Sequence, residues 1–275
     1  MKTIRCIGQQ LKKYAWNSMF LICILAVTAL CFTTPVYREM GGTQYLTVID
    51  VLLQYAGNIL SLGEKLSAYE IFRSIPGESL EMMVPILVSC SFAVSFCQER
   101  RSGFLRFEII RSGAYRYYLS SMFAALLTGG LILLIGCGLF GITAAVLFPS
   151  MADYGIALEA THILTIIKQL VGLFLYGCGS ALLPFSLALI TLNYYIVVCI
   201  PFLVCYMGTI VINWLRGLFD TSLSAFFVAL DVSYLQGVLF GSEASTVCFL
   251  IYILFAAVII IFTLQVVQRR VDRGA

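Results

Sequence analysis

Long stretches without any charged residue alternate with short clusters of charges along this 275-residue chain. The charge-free runs lie between Lys13 and Arg38, Glu81 and Glu99, Arg116 and Asp153, Lys168 and Arg216, and Glu243 and Arg269. A helix needs about 20 apolar residues to cross a bilayer, so the run after Lys168 has room for two helices, with polar Asn193 at the turn. The pattern predicts six membrane-spanning helices, at about 16–36, 79–98, 117–147, 162–190, 195–215 and 245–267.

These apolar runs favour helices over the strands of a membrane barrel. Lipid offers no hydrogen-bond partner to an open backbone, so only helices and closed barrels cross a bilayer. Barrel strands alternate in polarity over segments of about ten residues, and runs such as 131–141 do not alternate. We therefore expect an all-α integral membrane protein, with residues 1–275 forming a single transmembrane domain.

The composition agrees with this assignment and excludes several function classes. Hydrophobic residues make up 61% of the chain and charged residues 11%, whereas soluble domains carry about 25% charged residues. This balance excludes a soluble enzyme, a disordered chain and a nucleic-acid binder, despite the net charge of +3. The ten cysteines lie in apolar stretches or near the N-terminus and are interpreted as small buried hydrophobic residues. His162 is the only histidine, so we expect no metal site built on two histidines.

Basic residues predict which ends of the helices face the cytoplasm. Residues 1–13 carry four basic and no acidic side chains, the connection 99–116 carries five arginines, and three more follow position 268. The connections 37–78 and 216–244 are rich in acids instead. Because cytoplasmic connections accumulate Lys and Arg, we expect a multi-pass protein of the plasma membrane. Both termini would be cytoplasmic, and the two acidic connections would lie outside.

The first fifteen residues are predicted to form a helix in the plane of the membrane interface. Ile4, Ile7, Leu11 and Tyr14 recur at helical spacing, as in amphipathic interfacial helices. The alternative is an unstructured basic tail. A cleaved signal peptide is disfavoured because 26–37 contains no small-x-small cleavage site.

The connection between the second and third spans has the most distinctive composition. It is too apolar for a solvated loop and too charged for the membrane interior. A short helix with one apolar and one charged face suits docking into a groove on a soluble partner, with a glycine as helix breaker at each end. The candidate docking residues are Glu99, Gly103, Phe104, Arg106, Phe107, Glu108, Arg111 and Gly113. The alternative is a basic loop that only fixes the topology.

Here the sequence resembles the membrane subunit of ABC-2-type ABC exporters, also called type V exporters. The resemblance rests on Phe96-x-x-Glu99-x-x-x-Gly103 after the second span, the Arg- and Tyr-rich segment 111–118, and the tight hairpin followed by Pro201. It implies that 99–116 contains a coupling helix that contacts an ATPase, and that Glu99 ends the second helix near its surface. It also implies two ATPase subunits that bind ATP and Mg²⁺, and a second permease copy, identical or related, surrounded by membrane lipids.

No catalytic residue and no cofactor are expected in this chain. It contains no GxxxxGK[ST] phosphate-binding loop, so a partner would have to hydrolyse the ATP. The candidates for a substrate pathway are Lys168, Ser180 and Asn193. An intramembrane cation is a functional candidate by default, and snorkelling of Lys168 toward the outer headgroups is the alternative. The mostly charge-free spans favour an amphipathic substrate, such as a peptide, a drug or a lipid.

Three other functions compete with that of an exporter. An ion-coupled secondary transporter would need acids or histidines in mid-span, and the sequence has none. A membrane metalloprotease would need a motif such as HExxH, which the sequence also lacks. A non-transporting scaffold or immunity protein stays open, because it can share the same architecture.

Two further patterns concern packing. Glycines at 129, 130, 136, 138 and 141 in the third span, and at 177 and 179 in the fourth, predict close approach of helices. In the first outer connection, the four-residue spacing of Asp50, Gln54 and Asn58 within the apolar stretch 47–62 predicts a helix that lies on the membrane or caps the cavity. In the second outer connection, 223–240 is apolar enough to dip into the outer leaflet and return.

Overall fold

The computed structural model describes residues 2–38, 45–55, 66–75, 77–156, 159–218 and 246–272. Its helices are α1 (Lys2–Ala15), α2 (Ser18–Cys31), α3 (Val48–Tyr55), α4 (Ala68–Arg73), α5 (Glu78–Ser102), α6 (Phe104–Ser112), α7 (Ala114–Leu147), α8 (Ala160–Ile190), α9 (Tyr194–Leu218) and α10 (Thr246–Asp272). Strands β1 (Pro35–Arg38) and β2 (Tyr45–Thr47) and a 3-10 turn at Met151–Tyr154 complete the described elements.

Five of these helices, α5, α7, α8, α9 and α10, are long and apolar enough to cross a membrane. They correspond to the second through sixth predicted spans. All five are longer than predicted; α7, for example, begins at Ala114 instead of residue 117. The chain is therefore a multi-pass helical membrane protein.

The first predicted span, 16–36, contains a shorter helix than expected. Asn17 accepts a hydrogen bond from the Met19 N–H (3.4 Å) and starts α2 as a new helix, bent by 65° from α1. The 14 residues of α2 give about 21 Å of helix, against ~30 Å of hydrocarbon core. By length and composition alone, a sixth candidate span is found among the described residues only when the bent pair α1 and α2 is taken as one crossing.

A small antiparallel hairpin follows α2 and is the exception to an all-α fold. Strands β1 and β2 pair Pro35 with Thr47 and Arg38 with Tyr45. Asp50 accepts hydrogen bonds from the hydroxyl (2.7 Å) and the backbone N–H (3.0 Å) of Thr47, and both bonds lower the pKa of the Asp50 carboxyl. Within the predicted helix 47–62, the structure describes α3 at Val48–Tyr55. Residues 56–62 and the predicted segment 223–240 lie outside the described residues.

Helix α7 is the centre of the bundle and packs against α1, α2 and α8. The contact with α8 is so close that a Cβ on Gly129 would lie 2.5 Å from the carbonyl oxygen of Gly177. On the α2 side, a Cβ on Gly136 would lie 2.6 Å from Val27 Cγ1. The predicted close helix approach is confirmed at Gly129, Gly136 and Gly177. It is wrong for Gly138, where an added Cβ would meet no atom of the described residues within 4 Å.

The two ends of the bundle differ. We call the end that carries α1, α6 and the connection 191–193 the basic end. At the opposite end, buried Gln169 of α8 donates hydrogen bonds to the carbonyls of Phe72 (2.9 Å) and Ile75. The Ala68 N–H donates to the carbonyl of Pro149 (3.0 Å). These bonds hold α4 against the end of the bundle remote from α6.

Candidate docking site at the basic end

Helix α6 is separated from both long neighbouring helices by glycines. Gly103 has φ +75° and Gly113 has φ +84°, a region that side chains with a Cβ avoid. At the start of α6, the Arg106 N–H donates a hydrogen bond to the Gly103 carbonyl (3.1 Å). At its end, the Gly113 N–H donates one to the Ile109 carbonyl (2.8 Å). The helix breaks predicted at these glycines are present, and α6 is a separate nine-residue helix.

One face of α6 is fixed to the bundle. Leu105 is buried, and Ile109 packs against the hydrophobic core. Between them, Glu108 accepts a hydrogen bond from Gln10 Nε2 (3.0 Å) and lies 4.0 Å from Lys13 Nζ. Apolar and charged contacts therefore attach α6 to α1 at the same place.

The other face of α6 exposes large apolar side chains. Phe104 is 51% exposed, Phe107 73% and Ile110 82%. Arg106 and Arg111 are exposed beside them. Positions 104, 107 and 110 or 111 follow the helical period, so these side chains form one stripe. Burying each large apolar side chain is worth about 1.5–3 kcal/mol.

Glu99 lies inside a helix and is buried, in contrast to the expectation that it ends the second helix near its surface. Helix α5 continues to Ser102, and Glu99 is 8% exposed. Its carboxylate pairs with Lys13 Nζ and accepts a hydrogen bond from the Tyr117 hydroxyl (3.1 Å). The predicted connection 99–116 thus starts within α5, and Glu99 links α5 to α1 and α7.

Further polar contacts attach α1 to the first turns of α7. Tyr14 is fully buried, and its hydroxyl lies 2.6 Å from Ser121 Oγ. Cys6 Sγ lies 3.3 Å from Ser120 Oγ. The predicted apolar stripe of α1 is only partly buried, since Ile4 is 76% exposed. Helix α1 therefore presents a mixed polar and aromatic face to the protein.

Sequence reasoning missed the inward roles of Gln10 and Lys13. The helical pattern of α1 places Lys13 away from the apolar stripe, and it makes no prediction for Gln10. The spacing of Cys6, Gln10, Lys13 and Tyr14 at i, i+4, i+7 and i+8 is the signal that could have found this second face.

Two of the basic residues of the connection bind the end of α8. Arg100 Nη1 donates to the carbonyls of Ala188 and Thr191 (3.1 Å for Thr191), and Arg101 Nε donates to that of Leu192 (3.1 Å). The last carbonyls of a helix lack intrahelical partners and attract cations. These arginines therefore hold the connection 191–193 at the basic end.

The three predicted pathway residues do not come together. Lys168 is exposed, about two turns into α8. Ser180, in the middle of α8, donates to the Gly177 carbonyl of its own helix (2.9 Å). Asn193 lies in the connection at the basic end, where its Oδ1 accepts from the Tyr195 N–H (3.1 Å) at the start of α9.

No protein-family model matches this chain, and no curated protein matches its sequence. The function must therefore be inferred from the arrangement of side chains at the basic end.

Proposed function

We propose that this chain is the permease subunit of an ATP-driven exporter of the ABC-2 type. The observation that carries the proposal is the outer face of α6, where Phe104, Phe107 and Ile110 are all at least half exposed. Soluble surfaces seldom concentrate large apolar side chains in this way unless a partner covers them. The family resemblance implies that the partner is an ATPase subunit, with a groove that receives α6.

The contacts of α6 explain how a partner would move the bundle. Force applied to Phe107 or Ile110 reaches Glu108 on the same helix, and from there Gln10 and Lys13 of α1. Lys13 also pairs with Glu99 of α5. The glycines at both ends of α6 allow the helix to pivot, while these polar contacts pass its displacement on to α1 and α5. A helix that pivots and moves its neighbours in this way suits alternating access driven by a soluble ATPase partner.

The proposal includes partners beyond this chain. Two ATPase subunits would bind ATP and Mg²⁺ and contact α6, with both termini and the basic end in the cytoplasm of a cell bounded by the plasma membrane. The apolar windows of α9 and α10 are only 11% buried, so they leave surface for lipids and a second permease copy. The substrate would be amphipathic, that is, a peptide, a drug or a lipid.

Truncation of the exposed stripe tests the docking role. We expect Phe107→Ala/Ile110→Ala to weaken co-purification of the ATPase and its substrate-stimulated ATP turnover by roughly tenfold or more, the scale of interface hot spots. The matched control is Val146→Ala/Leu147→Ala, which truncates two exposed apolar residues at the opposite end of α7. The control should leave both readouts unchanged.

Other outcomes would contradict the proposal. Unchanged ATPase binding by the Phe107→Ala/Ile110→Ala protein would remove α6 as the docking helix. Substrate transport by the purified chain in liposomes without ATP would favour a secondary transporter. An intact complex that hydrolyses ATP and moves no substrate would favour a scaffold or immunity protein.

A further inference from the structure

A positively charged cleft of about 430 Å³ opens between α1, α6 and the first turn of α7. Arg5 of α1, Arg111 of α6 and Arg116 of α7 line it. All three side chains belong to exposed residues, and none pairs with a carboxylate within the described part of the chain. Three helices therefore each contribute one guanidinium to the same concave surface.

The acid in the cleft does not neutralise these arginines. The Glu108 carboxylate accepts a hydrogen bond from Gln10 Nε2 (3.0 Å) and lies 4.0 Å from Lys13 Nζ. Gln10 also lines the cleft, and its buried Oε1 has no hydrogen-bond partner among the described residues. The cleft thus holds three guanidinium groups and one acid that already has partners on α1.

Three guanidinium groups around one cleft match a phosphate group as the ligand. Guanidinium forks bind phosphate oxygens through paired, charge-assisted hydrogen bonds. A bound anion would also relieve the mutual repulsion of the three arginines.

The surroundings of the cleft favour a lipid over a soluble phosphate. Ile4, adjacent to Arg5, is 76% exposed, and Phe123, seven residues beyond Arg116 on the same face of α7, is 43% exposed. These apolar side chains lie where the acyl chains of a lipid would continue from the headgroup. Basic pockets at the cytoplasmic ends of membrane helices bind anionic headgroups.

We propose that this cleft binds the phosphate of an anionic phospholipid headgroup, with the arginines of α1, α6 and α7 as its ligands. A bound lipid would join the interfacial helix to α6 and α7 through one shared anion. The cleft needs no ATPase partner to bind a lipid, so its test is independent of the docking role proposed for α6.

The test uses the purified full chain in detergent and native mass spectrometry with added phosphatidylglycerol or phosphatidylcholine. We expect phosphatidylglycerol to be retained at a concentration roughly tenfold or more below that needed for phosphatidylcholine, since each Arg near a surface contributes about 1 kcal/mol to anionic-lipid binding. Millimolar inorganic phosphate should not displace the lipid. Equal retention of the two lipids would overturn the proposal. Displacement of the lipid by inorganic phosphate would mean that the cleft binds soluble phosphate instead of a lipid headgroup.

Variants then locate the site. Arg5→Gln/Arg111→Gln should abolish the preference for phosphatidylglycerol, whereas Arg5→Lys/Arg111→Lys should retain part of it because the charge remains. The matched control, Arg106→Gln/Arg269→Gln, removes two exposed arginines outside the cleft and should keep the full preference. A preference that survives in Arg5→Gln/Arg111→Gln would place the lipid elsewhere. The comparison of the two lipids on the unaltered chain decides the proposal even if a variant does not fold.

Discussion

At the scale of single residues, Glu99 is a buried acid whose charge needs a partner. Its carboxylate is withdrawn from water, with a side chain that is 10% exposed, whereas that of its partner Lys13 is 32% exposed. A buried charge is tolerated only when it is paired and hydrogen-bonded. The Tyr117 hydroxyl supplies one hydrogen bond, and Lys13 supplies the charge.

We predict that Lys13→Gln destabilises the protein by roughly 2–3 kcal/mol, somewhat below the usual cost of orphaning a fully buried charge because Lys13 is partly exposed. The measurement is the Tm of the purified chain in detergent. The double variant Lys13→Gln/Glu99→Gln should recover most of the loss, since it removes both charges together. A double variant no more stable than Lys13→Gln would contradict the importance of the pair.

A second residue-scale prediction concerns pH at the start of α3. The hydrogen bonds from Thr47 lower the pKa of Asp50 in the folded chain, so their stabilising effect is present above the unfolded Asp pKa of about 3.9. It is lost as the pH falls through the lower, folded value. We expect the exchange protection of the Thr47 amide to fall in that acidic range, as measured by hydrogen exchange corrected for intrinsic rates. In Asp50→Asn, the same protection should show no such pH dependence.

At the scale of elements, the sequence predicted best where one local signal decided the structure. Gly103 and Gly113 delimit α6 because no other residue type adopts their φ values so readily. The β1–β2 hairpin and the early end of α2 were not predicted. The Phe32 and Thr34 carbonyls there accept from the N–H groups of Ile49 and Val48, partners that are 14 or more positions away in the sequence.

The candidate site shows the same division between local and distant signals. The composition of 104–111 was enough to predict a short separate helix, and its docking role stays a prediction. Its apolar side chains lie on both faces, since Leu105 is buried while Phe107 and Ile110 are exposed. The inner contacts of Glu99 and Glu108 depend on Lys13 and Gln10, about 90 residues earlier in the chain. No local pattern specifies such a pairing, because it arises only when α1 packs against α5 and α6.

The close contact between α7 and α8 leads to a packing prediction. Gly129→Ala should destabilise the protein by about 1–3 kcal/mol, the cost of overpacking, because the added Cβ meets the Gly177 carbonyl oxygen at 2.5 Å and Val88 Cγ1 at 2.8 Å. The control is Gly138→Ala in the same helix, where an added Cβ has no neighbour within 4 Å in the described part of the chain. Thermal unfolding in detergent should show a lower Tm for the first variant alone. Equal Tm values would mean that the two helices separate without cost.

At the scale of the whole molecule, helix lengths relate the bundle to the membrane. The 34 residues of α7 give about 51 Å of helix, well beyond the ~30 Å hydrocarbon core. Its first turns carry Arg116, Ser120 and Ser121 and contact α1. The excess length therefore lies at the basic end, where an interfacial helix can pack against it at headgroup level.

The shortness of α2 decides how many times the chain crosses. Non-helical backbone is tolerated at membrane depth only where protein satisfies its polar groups. The carbonyls after α2 have such partners in Val48 and Ile49, and Thr34 is only 3% exposed. A 14-residue helix extended by this buried segment can cross, so we expect α2 to be a span and the number of crossings to be even.

Reporter fusions test this count directly. Alkaline phosphatase, active only outside the cytoplasm, should be active when fused after Arg38 or after Ser150. A green fluorescent protein, fluorescent only inside, should fluoresce when fused after Ser102 or at the C-terminus. An inactive phosphatase after Arg38, with the other three results unchanged, would mean that α2 does not cross. The chain would then need a crossing between Arg38 and α5 that its sequence does not provide, because residues 39–77 contain no uncharged run of 20 residues.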